Sequence, residues 1–178
     1  DGRGHVVASG VADAFVHAER KLPRGGRVRF LSCGRLGPEK RVDVILDAFE
    51  RLGRDDAELH IVGCTPPVEK LPHYVKLHGF LKKSRPDDVQ KLQRLFEESH
   101  FLILPSQADC TPVVFSESNS FGMPCISTRV GGISSVIRNT VNGHIFGLFD
   151  TWLEEHSHAK VLAGSGHAGV LVRGDHRL

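Results

Sequence analysis

FLILPSQADCTPVVFSESNSFGMPCIST, residues 101–128, holds two short apolar runs separated by a polar stretch punctuated by proline and glycine. Phe101 to Leu104 reads as a buried strand stopped by Pro105, and Cys125 to Thr128 reads as the next strand. Between them Pro112 reads as the first residue of a helix running to about residue 121 and ending at Gly122, with Thr111 as its N-cap. Two carboxylates fall inside this unit. Asp109 stands in the loop ahead of the helix and Glu117 more than a turn inside it. The layout suits a polyhydroxylated ligand whose anionic part is held by the free N–H groups of the helix start.

The same rhythm extends outward on both sides. VRFLSCG (28–34) is a strand entering a glycine turn, and VDVILDAFERL (42–52) has helical periodicity. ELHIVG (58–63) and YVKLHGF (74–80) read as strands, and DDVQKLQRLFEESH (87–100) as a helix with apolar positions at 89, 92, 95 and 96. CIST, GGISSVIR and GHIFG repeat strand, helix, strand once more. Strands that are apolar almost throughout, alternating with helices, predict an α/β fold in which a parallel sheet is covered by helices on both faces. Ligands in such a fold bind beyond the carboxyl ends of the strands.

A length of 178 residues is enough for one ordinary domain with a real core. The predicted domain is 28–150, preceded by a linker or the remnant of another element at 1–27 and followed by a Gly- and His-rich tail at 151–178. With 23 basic against 21 acidic residues, the formal charge of +2 predicts neither a nucleic-acid nor a membrane surface. Cysteines at 33, 64, 110 and 125 form no zinc or CxxC pattern and fit a reducing compartment. No secretory signal opens the sequence and no apolar run approaches membrane-spanning length, so a cytoplasmic location is expected. GSGHAG at 164–169 matches GxGxxG in form only, since a dinucleotide site needs a helix behind it and a second strand carrying an acid. His156, His158, His167 and His176 lack the i, i+4 spacing of helical metal ligands, and no metal site is expected there.

Chemistry gathers at the strand ends. In CGRLGPEKR, Gly34 and Gly37 permit close backbone approach, Arg35 offers parallel donors to a phosphate and Lys40 adds a mobile point charge. The stretch is equally readable as a basic turn, and it lacks the GxxxxGK[ST] of a phosphate-binding loop. A helical glutamate is usually at the surface and an aspartate before a helix is often a cap. Against that, a carboxylate accepting vicinal hydroxyls is the usual way to hold a ribose, so Glu117 for ribose and Asp109 for a sugar ring is a coherent division.

GRLGPEKRVDVILDAF, LHIVG, VKLHGF, SHFLILPS, the acidic pair with FGMPCIST behind it, and VGGISSVIRNTVNGHIF together resemble the C-terminal, donor-binding domain of the retaining glycosyltransferases of family 4. The resemblance runs from about 28 to 150 and implies the Rossmann-like, C-terminal half of a GT-B fold. It implies a site without metal or cofactor that binds a nucleotide-diphosphate sugar for retaining transfer to an acceptor hydroxyl. Arg35 and Lys40 would clasp the diphosphate beside Gly34, Asp109 would contact the sugar and Glu117 the ribose. Those four, Arg35, Lys40, Asp109 and Glu117, are the expected catalytic set. Thr111, Pro112 and Val113 fall where the family's amides touch sugar and phosphates, and Phe80 and Leu81 where backbone groups meet the base.

The sequence departs from the family pattern at several of these places. Asp109 is one methylene shorter than the usual Glu, and Cys110-Thr111-Pro112 stands where Gly-Phe-Gly is typical. Pro112 has no N–H to give. Lys40-Arg41 replaces a common Lys-Gly, and Ser135 a Glu. The family's N-terminal acceptor-binding domain is an expected missing partner, without which the chain alone should not turn over. The alternatives are a non-catalytic nucleotide or nucleotide-sugar binding module, and an unrelated parallel-sheet regulatory domain. The latter would place an aspartate at the end of the first strand, where Ser32-Cys33-Gly34 stands.

Overall fold

A computed structural model describes residues 15, 22, 26–35, 40–52, 56–66, 70–110 and 112–147. Among these, six β-strands pair in parallel: β1 (Val28–Cys33), β2 (Ala57–Val62), β3 (Val75–Leu77), β4 (Phe101–Leu104), β5 (Cys125–Thr128) and β6 (Gly143–Phe146). They lie in the order β3-β2-β1-β4-β5-β6. The helices between them are α1 (Val42–Leu52), α2 (Pro86–Glu98), α3 (Val113–Ser120) and α4 (Ile133–Val136). The sheet is Rossmann-like, as the alternation of apolar runs and helical periods predicts.

Successive strand residues point to opposite faces, and each face carries its own core. On one face Ile45, Leu46 and Phe49 of α1 pack on Leu59, Ile61 and Ile103. On the other, Leu92, Leu95 and Phe96 of α2 join Phe115 of α3 and Ile133 of α4 over Leu31, Leu102 and Cys125. Phe15, within the stretch read from sequence as a linker or the remnant of another element, is buried in this second core with its ring edge-on to Phe96 and Phe121. Near-continuous apolar strands are what two covered faces require.

Several boundaries shift from the sequence expectation. Pro112 is the N-cap of α3 and not its first residue: its φ of −64° suits a helix, but a ψ of 124° keeps it in the extended region. Helical geometry begins at Val113, and no side chain caps the helix start. Thr111, the expected cap, lies outside the described residues. β3 is three residues long because the ladder ends after His78, whose N–H reaches the Ile61 carbonyl, and Gly79 turns left-handed at φ +67°. That turn releases Phe80 and Leu81 from the sheet. α2 starts at Pro86 and ends at Glu98, with Ser99 already extended. The tail after 150, with its GxGxxG match and histidines, also lies outside the described residues.

Strand order reverses direction between β1 and β4, each of which feeds a loop away from the other. At such a switch point the two loops separate and leave a crevice beyond the carboxyl ends of the strands. The loop after β1 carries Arg35 and Lys40, and the loop after β4 carries Asp109.

Candidate functional site

A cavity of about 440 Å³ opens at this crevice, and its lining joins residues far apart in the chain. Gly34, Arg35 and Lys40 come from the loop after β1, Phe80 and Leu81 from the turn after β3, and Asp109, Pro112, Val113 and Glu117 from the β4–α3 unit. Every site residue expected from sequence and described in the structure therefore lines one cavity; Thr111 is outside the described residues.

Two features of the electrostatics go beyond the sequence expectation. Lys40 is not a mobile solvated charge: its ammonium donates to the Asp109 carboxylate, and both side chains are largely covered, at 15% and 12% exposure. Glu117 departs from the usual exposed helical glutamate, as its reading as a site residue requires. Only 2% of its side chain is accessible, and its Oε1 accepts from the Lys83 ammonium. Each acid of the cavity is thus neutralised by a lysine from a different loop. Arg35 is exposed and lines the same cavity.

Two glycines close the loops onto one another. Gly63, at the end of β2 with φ +87°, lies so close to the Gly34 carbonyl that any Cβ there would collide with it. Gly131, with φ +49°, stands in the same relation to the Asp109 carbonyl, and the Gly132 N–H donates to the Cys110 carbonyl at 2.5 Å. The turn after β5 therefore buttresses the backbone that presents Asp109. Cys33 forms part of the cavity lining with its thiol pushed up to about 12, chiefly by burial, then by the Glu117 charge, with Lys83 partly offsetting. A thiol so held is not a nucleophile near neutral pH.

Sequence reasoning missed Lys83, Gly63 and Gly131. The two glycines had a usable signal: each directly follows or nearly follows an apolar run, where a close turn is expected. Lys83 had none, since one lysine of a Lys-Lys pair reads as solvated. Among the described residues no cluster of three or more His, Cys, Asp or Glu side chains could hold a metal ion.

The arrangement offers an exposed arginine, two lysines paired with carboxylates and the N-terminus of α3, a set that matches a phosphorylated polyol. The family model of glycosyl transferases group 1 matches residues 27–155, and the chain belongs to that family. The chain is 27% identical over 183 residues to a D-inositol 3-phosphate glycosyltransferase of Salinispora tropica, covering 93% of this chain and 38% of that protein. It is 33% identical over 117 residues to the N-acetyl-alpha-D-glucosaminyl L-malate synthase of Bacillus anthracis, covering 63% of this chain and 30% of that protein. The chain thus spans less than two fifths of the length of either relative.

Among solved structures, a sucrose-phosphate synthase from Thermosynechococcus elongatus superposes with a TM-score of 0.62 at 18% identity, covering 78% of this chain and 37% of that one. An Anabaena protein solved with UDP and glucose superposes with a TM-score of 0.57 at 20% identity, covering 68% of this chain and 35% of that one. At such identities these neighbours establish the shared fold, the Rossmann-like half of a GT-B architecture. No described helix is long and apolar enough to cross a membrane.

Proposed function

We propose that this chain is the donor-binding half of a retaining glycosyltransferase of family 4, and that its cavity takes a nucleotide-diphosphate sugar. The observation that carries this is the convergence of Arg35, Lys40, Asp109, Glu117 and the start of α3 on one crevice at the switch point of the sheet. Family membership supports the transferase class, and the UDP and glucose bound by the Anabaena neighbour support the ligand class.

In this reading the base lies against Phe80 and Leu81, Glu117 accepts the ribose hydroxyls, and the diphosphate sits between Arg35, Lys40 and the amide of Val113. Asp109 faces the sugar. Pro112 contributes no N–H, so the first amide available from the helix is that of Val113. Negative charge grows on the diphosphate as its bond to the sugar breaks. A cation about 4 Å away stabilises that charge by roughly 1 kcal/mol in water and about 4 kcal/mol at an intermediate effective dielectric. Closure of a second wall over the site strengthens the same interaction. The acceptor hydroxyl comes from that wall, which belongs to another domain of a longer protein. The chain on its own binds donor weakly and transfers little, because the orientation of two substrates supplies several kcal/mol of the barrier. No metal or cofactor is required, and a cytoplasmic setting suits a nucleotide-sugar donor.

The loop after β1 is tested by Arg35→Ala. Calorimetric titration should show nucleoside diphosphate binding weakened by at least about 1 kcal/mol, while affinity for the bare nucleoside is unaltered. Equal affinity for the diphosphate in mutant and parent would remove Arg35 from the site.

A further inference from the structure

Lys83 sits in the turn ahead of α2, a place where a lysine is normally a solvated surface charge worth little. Here its side chain is only 48% exposed, and its head is held on two sides. One oxygen of the Glu117 carboxylate accepts from it across 34 residues of sequence. The face of the Phe15 ring lies 5.3 Å from its nitrogen, a cation–π distance, and Phe15 is itself locked in the core between Phe96 and Phe121. Both Lys83 and Glu117 line the cavity.

Among the described residues Lys83 is the one ion-pair partner of Glu117, and a buried carboxylate depends on such a partner for charge compensation. Glu117 carries that burden beside a site whose other ligands would be anionic phosphates. Without Lys83 its charge would stand uncompensated next to the diphosphate, and its rotamer would be unpinned. With Lys83 on Oε1, the carboxylate retains acceptor capacity for a diol, since an ionised carboxylate offers about four lone-pair sites.

We propose that Lys83 is a positioning residue of the nucleotide site: through its ion pair with Glu117, and braced by Phe15, it holds that carboxylate where a ribose cis-diol meets it. This rests on the reading of Glu117 as the ribose acceptor. The test takes whichever of UDP, GDP and ADP the parent chain binds best, together with its 2′,3′-dideoxy analogue, and titrates both into the parent and into Glu117→Gln, Lys83→Met, Lys83→Gln and Lys83→Arg. The parent should prefer the ribose form by roughly tenfold, about the worth of one charge-assisted hydrogen bond. Glu117→Gln should erase that preference. Lys83→Met and Lys83→Gln should lose most of it, by weakening the ribose form alone, and Lys83→Arg should restore it. The half-exposed turn makes both neutral variants foldable, and agreement between them separates the lost charge from any one side chain's packing.

If either neutral Lys83 variant keeps the full preference while Glu117→Gln loses it, the proposal fails and the ribose reading stands. Tighter binding of the ribose form by Lys83→Met would also overturn it, since the lysine would then be a competitor for the carboxylate. A preference that survives Glu117→Gln overturns the ribose reading and this inference together.

Discussion

Glu58 and Glu117 are both almost fully buried, at 5% and 2%, yet their surroundings differ in kind. Glu58 lies on β2 directly opposite Arg29 of β1, and the register delivers several partners at once. Arg29 donates to its Oε1, Lys76 to its Oε2 at 2.9 Å, and the His60 ring lies 3.2 Å from Oε1. His60 is in turn bonded to His78 at 3.1 Å, and Arg29 also reaches Glu98. Among the described residues Glu117 shows one ion pair, to Lys83, and it faces a cavity. A carboxylate whose acceptor sites are filled by the protein is part of the scaffold. One that is neutralised by a single cation at a cavity wall retains capacity for a ligand.

That contrast is broken most strongly at Glu58. Glu58→Gln should lower the free energy of unfolding by about 3 kcal/mol, the low end of the cost of breaking a buried ion pair, because Lys76 and Arg29 can turn toward solvent. Urea unfolding measures it, and nucleotide affinity should be unchanged. The pH dependence carries the same signature. Burial alone would raise the Glu58 carboxyl, but hydrogen bonds from Lys76 and Arg29 outweigh it and hold it at about 2, against an ordinary 4.5. The folded state binds the proton less readily, so this stabilisation is complete above pH 4.5 and is lost as pH falls toward 2. Glu58→Gln should flatten that acid limb.

A second limb belongs chiefly to His78, with a share from the buried His60. Burial first, then the charges of His60, Lys91 and Lys76, lower its ring to about 4 from 6.5. It is neutral when folded and takes a proton more readily when unfolded, so stability is full above 6.5 and falls as pH drops toward 4. His78→Gln should make this limb shallower, the remainder belonging to His60, whose ring is also lowered by burial, and leave the lower one.

The cavity side of the comparison predicts smaller effects, on binding. Gly131→Ala places a Cβ against the Asp109 carbonyl and forces a left-handed backbone that costs about 1–2 kcal/mol. The strain is relieved by moving the Asp109 loop, so affinity for a nucleotide sugar should fall more than affinity for the nucleoside diphosphate. Asp109→Asn should show the mildest form of this pattern, a loss of about 1 kcal/mol confined chiefly to the sugar conjugate. Equal losses for both ligands in Asp109→Asn would take that residue away from the sugar.

How much of this the sequence displays follows from the range of the interactions involved. α1, β4 and β5 were legible to the residue because apolar runs and helical periods are local and are ended by proline, glycine or a polar cluster. The span of β3 was overestimated, since its end is set by Gly79 leaving a ladder whose other strand lies elsewhere in the sequence. The cavity's acids and the Arg35 and Lys40 loop were visible because the β–loop–α order places strand-end loops on one edge. Their lysine partners were not. Lys40 to Asp109 spans 69 residues and Lys83 to Glu117 spans 34, and no local pattern records such pairings. The Glu58 network was invisible for the same reason, because it exists only once β1, β2 and β3 are in register. Phe15 lay ahead of the recognisable rhythm, and its burial depends on the Phe96 and Phe121 rings that receive it.

The central claim is that the crevice beyond β1 and β4 binds a nucleotide-diphosphate sugar. Its most direct test is calorimetric titration of the chain with UDP-, GDP- and ADP-glucose, repeated with Arg35→Ala and Glu117→Gln. Saturable one-to-one binding of at least one nucleotide sugar, weakened in both variants while Glu58→Gln binds as the parent does, is the predicted result. Absence of saturable binding by any of the three, or binding that both cavity variants leave unchanged, would contradict it.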